Sequence, residues 1–320
     1  MKAIAWAKYG APEVLQLRDF KKPFPKNKEI LIKIRASSVT AGDCRLRASK
    51  VPMGFWLPTR LAFGMTKPRV PIIGMDISGE IESAGEDVTL FKKGDKVYGT
   101  TGMQLGANAE YICLSENSAL VKKPNNITHE QAAAIIFGGL TAIHFLRDKA
   151  NIQRGQKVLV NGASGAVGTA SIQLAKYFCA EVTGICSTSN VELVKSLGAT
   201  KVIDYTKENF TKNKETYDVI LDAVGNLSHP QCNKSLTEHG KLVLINTGLL
   251  TNLLSIAREN IICGVAGESK EGLDFLRARV EAGDIEAVID RVYPLEQTAE
   301  AHRYVDKGHK KGSVVISVGH

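Results

Sequence analysis

The chain has 320 residues, enough for two domains that each bury an apolar core. Hydrophobic residues make up 44% and charged residues 23% of the sequence, values that exclude a disordered or fibrous protein. The longest nearly apolar run, residues 132–143, is too short to cross a bilayer, and we expect no secretory signal. Six widely spaced cysteines match neither a disulfide framework nor a CxxC motif, so we expect a reduced, cytoplasmic protein.

The formal net charge of +8 comes entirely from the first part of the chain. Residues 1–124 hold 20 Lys and Arg against 12 Asp and Glu, whereas residues 125–320 hold 21 of each class. The stretch between Asp43 and Asp76 has no acid and contains Arg45, Arg47, Lys50, Arg60, Lys67 and Arg69. A solvated basic surface is the ordinary interpretation of such a run. No basic strands studded with aromatic residues accompany it, so we expect no nucleic-acid partner.

Alternation of apolar and charged residues predicts strands in the first 121 residues. Ile30, Ile32 and Ile34 alternate with charged neighbours, which is typical of a half-buried strand over residues 29–35. Further short strands are predicted at 76–83, 95–98, 110–114 and 119–121, with turn sequences between them. Many short strands of this kind indicate a compact β-rich domain.

From about Pro124 the pattern changes to alternating strands and helices. A helix is predicted over residues 128–148, with Thr128 as its N-cap and Gln131 three residues later. Strands follow at 157–161, 181–186, 201–205, 217–222 and 241–246, with helices at 166–178 and 191–197. This alternation predicts a parallel sheet covered on both faces. A helix over 268–283 and a strand over 313–318 break the alternation, and we assign them to the first domain.

A glycine-rich turn directly after the 157–161 strand is the most specific motif. It reads Asn161-Gly162-Ala163-Ser164-Gly165-Ala166-Val167-Gly168. In a dinucleotide-binding turn, Gly162 permits the tight bend, Gly165 lets the backbone approach the pyrophosphate, and Gly168 allows close helix packing. The phosphates then accept hydrogen bonds at the positive end of the helix. A structural turn that binds nothing is the alternative.

The end of the second strand of this unit bears on the choice between NADH and NADPH. An NAD-specific site usually has Asp or Glu there, about 20 residues beyond the first glycine. Residues 182–191 contain no acid, and Ser187, Thr188 and Asn190 offer hydroxyl and amide groups that suit a 2′-phosphate. We therefore expect NADPH to be favoured over NADH. The preference is expected to be modest, because no Arg or Lys lies in this loop.

Short motifs along the whole chain accompany the glycine turn. They are KAI at 2–4, SVTAGD at 38–43, PIIGMD at 71–76, GDKV at 94–97, GGLTA at 138–142, LGA at 197–199 and DAVG at 222–225. Together they resemble the medium-chain dehydrogenase/reductases, above all the zinc-independent quinone oxidoreductases and alkenal/enone reductases. The resemblance implies an α/β fold: a GroES-like catalytic domain of residues 1–123 and 266–320, and a doubly wound Rossmann NADPH-binding domain of residues 124–265. It also implies a homodimer.

Zinc alcohol dehydrogenases share this fold, so the resemblance raises the question of a metal. The family's Cys and His ligand positions correspond to Thr40 and Met75, whose hydroxyl and thioether are poor zinc ligands. Cys44 is expected to be a small apolar filler. Residues 99–111 lack the four cysteines of the family's structural zinc lobe, and the seven histidines form no HxxxH or HxH pair. We expect no metal.

Without a metal, the resemblance implies hydride transfer from NADPH to an electrophilic small molecule, either a quinone or an α,β-unsaturated carbonyl. The implied catalytic residues are Thr40, near the nicotinamide, and Asp43, which supports the same loop. The implied cofactor contacts outside the glycine turn and the 187–190 loop are Thr141, Tyr205, Val224, Ile245 and Asn246. The alternatives are that Thr40 and Asp43 only fix a turn and that Tyr205 is a surface aromatic.

The basic segment contains large apolar residues between its cations. The resemblance places it at the mouth of the active site, where Phe55, Trp56 and Phe63 are expected to line the substrate pocket below a basic rim. Weak docking on an anionic membrane is one alternative, because aromatic and basic residues suit that interface. A packed loop or a dimer contact is the other.

Two further functions compete with the reductase. One is an alcohol or aldehyde dehydrogenase, which the residues at positions 40 and 75 disfavour. The other is a non-enzymatic NADPH-binding protein, which the basic charge supports weakly. Activity with a naphthoquinone, an alkenal and an aldehyde separates the three.

Overall fold

The fold is described from a computed structural model, which describes residues 1–255 and 258–320. Up to residue 142 the elements are β1 (Lys2–Trp6), β2 (Leu15–Asp19), β3 (Glu29–Val39), α1 (Ala41–Ala48), α2 (Trp56–Phe63), β4 (Asp76–Ala84), β5 (Lys96–Thr100), β6 (Tyr111–Ser115), β7 (Leu120–Lys122) and α3 (His129–Ala142). A π-helical segment, Ile143–Lys149, continues α3. Within these described ranges no helix is long and apolar enough to span a bilayer.

The remaining elements alternate as the sequence predicts. They are β8 (Lys157–Asn161), α4 (Ala166–Tyr177), β9 (Glu181–Cys186), α5 (Val191–Ser196), β10 (Lys201–Asp204), β11 (Tyr217–Asp222), α6 (His229–Cys232), β12 (Leu236–Leu244), α7 (Leu249–Ser255), β13 (Ile261–Cys263), α8 (Lys270–Glu281), β14 (Ile289–Pro294), α9 (Thr298–Asp306) and β15 (Ser313–Ser317).

The second half of the chain contains a parallel sheet in the order β10-β9-β8-β11-β12-β13. Strand β8 lies at its centre, between β9 and β11, and its residues Val158, Leu159 and Val160 are fully buried. This order is typical of doubly wound dinucleotide-binding sheets, and it confirms the predicted fold class. The strand order reverses between β8 and β11, so a crevice opens there at the carboxyl ends of the strands.

The first part of the chain forms a second sheet, in the order β14-β15-β3-β4-β5-β7, with β6 also paired to β3. The last strand therefore returns to the front of the molecule, as predicted. Strand β15 runs antiparallel to β3, with Val314 opposite Val39. This register brings the start of β15 beside the end of β3. The two strand ends meet at the edge that faces the parallel sheet, because Gly312 bonds to Ser164 there.

Helix α8, which is predicted to belong to the front domain, packs its apolar face on α3. Its buried residues Leu273, Leu276 and Val280 belong to an apolar cluster that contains residues of the parallel sheet and also Tyr98 of β5. Leu276 packs against Gly139 of α3, where a Cβ would lie 2.7 Å from its Cδ2. The apolar stripe of an amphipathic helix packs on the nearest apolar surface, which here is α3. The predicted boundary at residue 265 stays a prediction.

Candidate active site

The glycine turn lies at the carboxyl end of β8, in the crevice of the parallel sheet. Gly162 has a φ of +79°, a backbone conformation that side chains with a Cβ rarely adopt. A Cβ on Gly168 would lie 2.1 Å from the Gly162 carbonyl oxygen, so helix and turn pack backbone to backbone. A Cβ on Gly165 would have only that oxygen near it, at 3.6 Å. Gly165 thus leaves an open cradle that suits a pyrophosphate, and the binding role of residues 162–168 stays a prediction.

Helix α4 begins at this cradle without a side chain that caps it. Gly165 is the N-cap, so the first N–H groups of Ala166 and the residues after it have no side-chain acceptor. The positive end of a helix dipole favours an anion at this place. Helix α3 fixes the position of α4, because a Cβ on Gly138 would lie 2.3 Å from the Ala166 carbonyl oxygen.

The loop after β9 is tied to the turn by polar contacts. Asn190 Nδ2 donates to Ser164 Oγ at 3.1 Å and to Ser187 Oγ at 3.2 Å. Thr188 Oγ1 donates to Asp204 Oδ2 at 2.5 Å, which places a carboxylate from β10 beside this loop. Hydrogen bonds from Thr188 and Thr206 lower the pKa of Asp204 to about 2, so it is ionised at neutral pH.

The sequence argument on this loop missed Asp204, because the residue comes from the next strand along the sheet. It also missed a cation, since Lys207 Nζ lies 3.5 Å from Asp204 Oδ2. In the structure Asp204 of β10 lies opposite Cys186 of β9, but the sequence alone does not give this register. Tyr205, predicted near the adenosine phosphate, follows Asp204 and is 57% exposed.

Three predicted contacts lie at the carboxyl ends of the central strands. Val224 follows β11 and packs on Gly162, while Ile245 and Asn246 follow β12. Asp222 organises this edge, because its fully buried carboxylate accepts from the backbone N–H groups of residues 224, 225 and 227 at 2.9–3.0 Å. Sequence reasoning used Asp222 only as part of a motif.

Thr141 lies on α3, three residues beyond Gly138, and is 3% exposed. Its hydroxyl donates to the carbonyl oxygen of Phe137, one helical turn earlier, at 2.7 Å. The hydroxyl proton is therefore used inside the helix. A contact of Thr141 with the ribose or diphosphate stays a prediction, with its oxygen available only as an acceptor.

Thr40 and Asp43 form a capping box at the start of α1. Thr40 Oγ1 and the Thr40 N–H both donate to Asp43 Oδ2, at 2.7 and 2.8 Å, and the Asp43 N–H donates to Thr40 Oγ1 at 3.1 Å. Burial raises the pKa of Asp43. Because the Thr40 hydroxyl proton is directed at Asp43, Thr40 has no proton free for a developing oxyanion in this arrangement. These contacts hold the start of α1, and the catalytic support expected of Asp43 stays a prediction.

The segment expected to be a lid contains helix α2 rather than a loop. Pro58 lies in the first turn of α2, where a proline is tolerated. Phe55 is the N-cap of α2, Trp56 is 49% exposed, and Phe63 packs against the front core. The Met53 carbonyl accepts from the Leu249 N–H at 2.8 Å, so the segment reaches across to the chain after β12.

Two of the six cations in this segment do not form the predicted solvated rim. The Arg47 side chain is 1% exposed and pairs with Asp306 at 2.7 Å. The Arg60 guanidinium stacks over the ring of Tyr9, with its carbon 3.8 Å from the ring centroid. These two arginines fix helices α1 and α2 on the front domain. Lys50, Lys67 and Arg69 are exposed and Arg45 is partly buried, and a basic rim formed by these cations stays a prediction.

The residues around Thr40 and Met75 do not fit a zinc ion. Among residues 1–255 and 258–320, no three His, Cys, Asp or Glu side chains are grouped so that they could hold a metal. Cys44 is buried as expected, and its Sγ lies 3.3 Å from His302 Nδ1. Burial raises the pKa of the Cys44 thiol and lowers the pKa of His302 to about 3. The pair is therefore a neutral, buried contact, which the sequence gave no reason to expect.

Comparison with known proteins places this architecture in one family. Residues 26–125 match the model of the alcohol dehydrogenase GroES-like domain, and residues 197–316 match that of the zinc-binding dehydrogenase. The chain is 31% identical to a quinone oxidoreductase from Lama guanicoe, over 98% of this chain and 95% of the relative. It is 32% identical to a chloroplastic NADPH-dependent alkenal/one oxidoreductase from Arabidopsis thaliana, over 99% of this chain and 79% of the relative.

Comparison with solved structures finds the same architecture. The quinone oxidoreductase from Coxiella burnetii superposes with a TM-score of 0.88 at 29% identity, covering 100% of this chain and 99% of that one. The sheet order and the glycine turn define a two-domain protein of the dinucleotide-binding class. The chain belongs to the medium-chain dehydrogenase/reductase superfamily, in the branch of the quinone oxidoreductases and alkenal/one reductases.

Proposed function

We propose that the protein is an NADPH-dependent reductase that transfers a hydride to a quinone or an α,β-unsaturated carbonyl without a metal. The open cradle at Gly165, at the uncapped start of α4, carries this proposal. Two relatives above 30% identity are named as a quinone oxidoreductase and an NADPH-dependent alkenal/one oxidoreductase. Thr40 and Met75 supply no good zinc ligand, so the proposed chemistry uses no Lewis acid.

Bound NADPH would supply the hydride, and the protein's residues would position it and exclude water. The N–H groups at the start of α4 would bind the diphosphate, and Val224, Ile245 and Asn246 would border the same edge. The capping box of Thr40 and Asp43 would fix the end of β3 opposite the turn. Since Thr40 directs its proton at Asp43, we propose that the product oxygen takes its proton from water rather than from Thr40.

We propose a modest preference for NADPH over NADH. Ser187, Thr188 and Asn190 offer polar groups to a 2′-phosphate, and Lys207 adds a nearby cation. The ionised Asp204 opposes a 2′-phosphate, because like charges repel across a short distance. Fluorescence titration with both reduced nucleotides tests this. Equal dissociation constants would refute the preference.

We propose that the protein acts as a homodimer through the edge strand β13. A sheet edge offers backbone groups that pair readily with a second copy. Leu250, Leu253 and Val265, close to β13 in the chain, expose 70%, 56% and 85% of their surface. Light scattering should give twice the mass of 34.6 kDa.

The six free cysteines support a reducing, cytoplasmic compartment.

We propose that α2 and the residues before it form a partial lid over the pocket, with Phe55 and Trp56 nearest the mouth. Replacing Lys50, Lys67 and Arg69 with Ser should raise KM for an anionic quinone more than for a neutral one. Equal changes would remove the rim. Sedimentation with anionic vesicles tests the alternative, which is docking of the exposed Trp56, Leu57 and Leu61 on a membrane.

NADPH oxidation with three acceptors tests the reductase against its alternatives. A reductase of the proposed class turns over a naphthoquinone and an alkenal. Turnover of an aldehyde alone would indicate an alcohol or aldehyde dehydrogenase, and binding without turnover would indicate a non-enzymatic NADPH-binding protein. Near-stoichiometric zinc in chelator-washed protein would overturn the metal-free chemistry.

A further inference from the structure

The chain after β13 brings a carboxyl group from the parallel sheet to the front sheet. Strand β13 runs parallel to β12, so the chain leaves the sheet at the same carboxyl edge as Ile245 and Asn246. Glu268 lies beyond β13, and its Oε2 is 3.0 Å from the position that a Cβ on Gly102 would take. Gly102 follows β5 of the front sheet. The Glu268 carboxyl therefore contacts a turn of the front sheet.

The backbone on both sides of Glu268 is held in place. The Gly267 N–H donates at 3.4 Å to Nδ1 of His144, a titratable residue of the segment that continues α3. Ser269 is the N-cap of α8, and its Oγ accepts from the Gly272 N–H at 3.0 Å. These two anchors limit the directions in which the Glu268 side chain can extend.

The turn that Glu268 contacts adjoins the end of the front sheet that carries Thr40. The N–H of Thr101, which precedes Gly102, donates to the Met75 carbonyl oxygen at 2.7 Å. Met75 comes directly before β4 and Thr40 directly after β3, and these two strands pair antiparallel. The proposed function places this end of β3 opposite the glycine turn. Glu268 thus lies beside the space in which the acceptor is expected.

The groups that face the Glu268 carboxyl favour its protonated form. Desolvation raises its pKa, and the Thr100 hydroxyl offsets part of this effect. The buried Asp76 of β4 also faces Glu268, whose charge raises the pKa of Asp76. Lys270 of α8 is directed elsewhere, because its Nζ donates to the Glu116 carbonyl oxygen at 2.8 Å. Glu268 is exposed to solvent, so it can regain a proton after it has given one up.

We propose that Glu268 is the proton donor of the reductase and acts through the water that contacts the product oxygen. This rests on the proposed function, in which the Thr40 proton is directed at Asp43. The acceptor takes a hydride from NADPH and a proton from the water, and the water takes a proton from Glu268. Solvent then reprotonates Glu268. Hydride and proton together convert a quinone to a hydroquinone, or an enone to a saturated carbonyl through its enol.

The test compares Glu268→Gln with Glu271→Gln in the full chain. Glutamine keeps the size of the side chain but has no proton to release at neutral pH. We expect Glu268→Gln to lower kcat with a naphthoquinone about 10- to 100-fold, less than direct proton donation contributes because a water intervenes. Kd for NADPH, from fluorescence titration, should stay within about 2-fold of wild type. Glu271→Gln should change neither quantity, because the Glu271 side chain is 83% exposed.

The pH dependence of kcat separates proton donation from a structural role. In wild type, kcat should fall as pH rises through the pKa of Glu268, because only the protonated carboxyl has a proton to give. Glu268→Gln should lose this fall. Thr100→Val removes the hydroxyl that lowers the pKa of Glu268, so the fall should move to higher pH. Far-UV circular dichroism checks that each variant is folded.

Four results would overturn the assignment. These are a kcat of Glu268→Gln within about 2-fold of wild type, a pH dependence that persists in this variant, a Kd for NADPH that rises as kcat falls, and an unmoved pH dependence in Thr100→Val. The last of these decides the question if Glu268→Gln does not fold. Failure of the proposed function is distinct, because wild type itself would then oxidise no NADPH with either a naphthoquinone or an alkenal.

Discussion

Gly165 and Gly168 belong to one turn, and the structure predicts opposite consequences for placing alanine at each. At Gly168 the new Cβ would lie 2.1 Å from a backbone oxygen, far inside the ~3.5 Å of an ordinary contact. Overpacking of this kind destabilises the fold by about 3 kcal/mol, and the higher helix propensity of alanine offsets about 1 kcal/mol of this loss. We expect Gly168→Ala to lower the free energy of unfolding by about 2 kcal/mol, which lowers Tm by about 4–8 °C.

At Gly165 the new Cβ would make an ordinary contact at 3.6 Å. Replacing glycine at an N-cap by alanine costs less than about 1 kcal/mol, so the fold should persist. The methyl group would occupy the cradle where the diphosphate is expected. We therefore expect Gly165→Ala to keep Tm within about 2–4 °C of wild type while Kd for NADPH rises at least about 10-fold.

Differential scanning fluorimetry and fluorescence titration on both variants measure the two effects separately. Wild type supplies the reference for Tm and for Kd. An unchanged Kd in Gly165→Ala would refute the assignment of the cradle to the diphosphate. An unchanged Tm in Gly168→Ala would show that the contact between helix and turn can relax, contrary to the packing argument.

Three further outcomes follow from charges and buried groups. Asp204→Asn removes an ionised carboxylate beside Thr188, so the ratio of NADH to NADPH dissociation constants should rise about 3- to 10-fold; no change would mean that the 2′-phosphate lies elsewhere. Asp306→Ala leaves the buried Arg47 without its partner and should cost about 2–3 kcal/mol in urea unfolding, less than a fully buried pair because Asp306 is partly exposed. His302 has a folded pKa of about 3, below its unfolded value, so stability should fall as pH drops from about 6.5 towards 3. His302→Gln should flatten this Tm profile, and an equally steep profile would exclude His302 as the cause.

Buried parallel strands were the easiest elements to predict. The bounds of β8, β9 and β11 match the predicted ranges, because each is a short apolar run whose ends are polar. Helix α2 was missed, since Pro58 and the glycines around it resemble a loop pattern although a first-turn proline fits a helix. Strands β1 and β2 and helix α9 were not predicted, because their segments have no long periodic pattern of apolar residues.

Residues of the candidate site could be predicted only where they lie together in one short segment of the sequence. The glycine turn satisfies this condition, and so does the capping box of Thr40 and Asp43, whose residues lie three apart. Asp204 reaches the loop after β9 from the neighbouring strand β10, and no local sequence pattern reveals which strand ends meet. The role expected of Thr40 depended on where one hydroxyl proton points, which Asp43 determines.

Because Val39 of β3 pairs with Val314 of β15, the front sheet can be completed only after β15 has been synthesised. All strands of the parallel sheet precede β15 in the chain, so that sheet can fold while the front sheet is still incomplete. Closing so long a chain loop is slow compared with local folding. The contact between Gly312 and Ser164 should therefore form only after β15 has been synthesised, and removing residues 312–317 should leave Val39 without its strand partner.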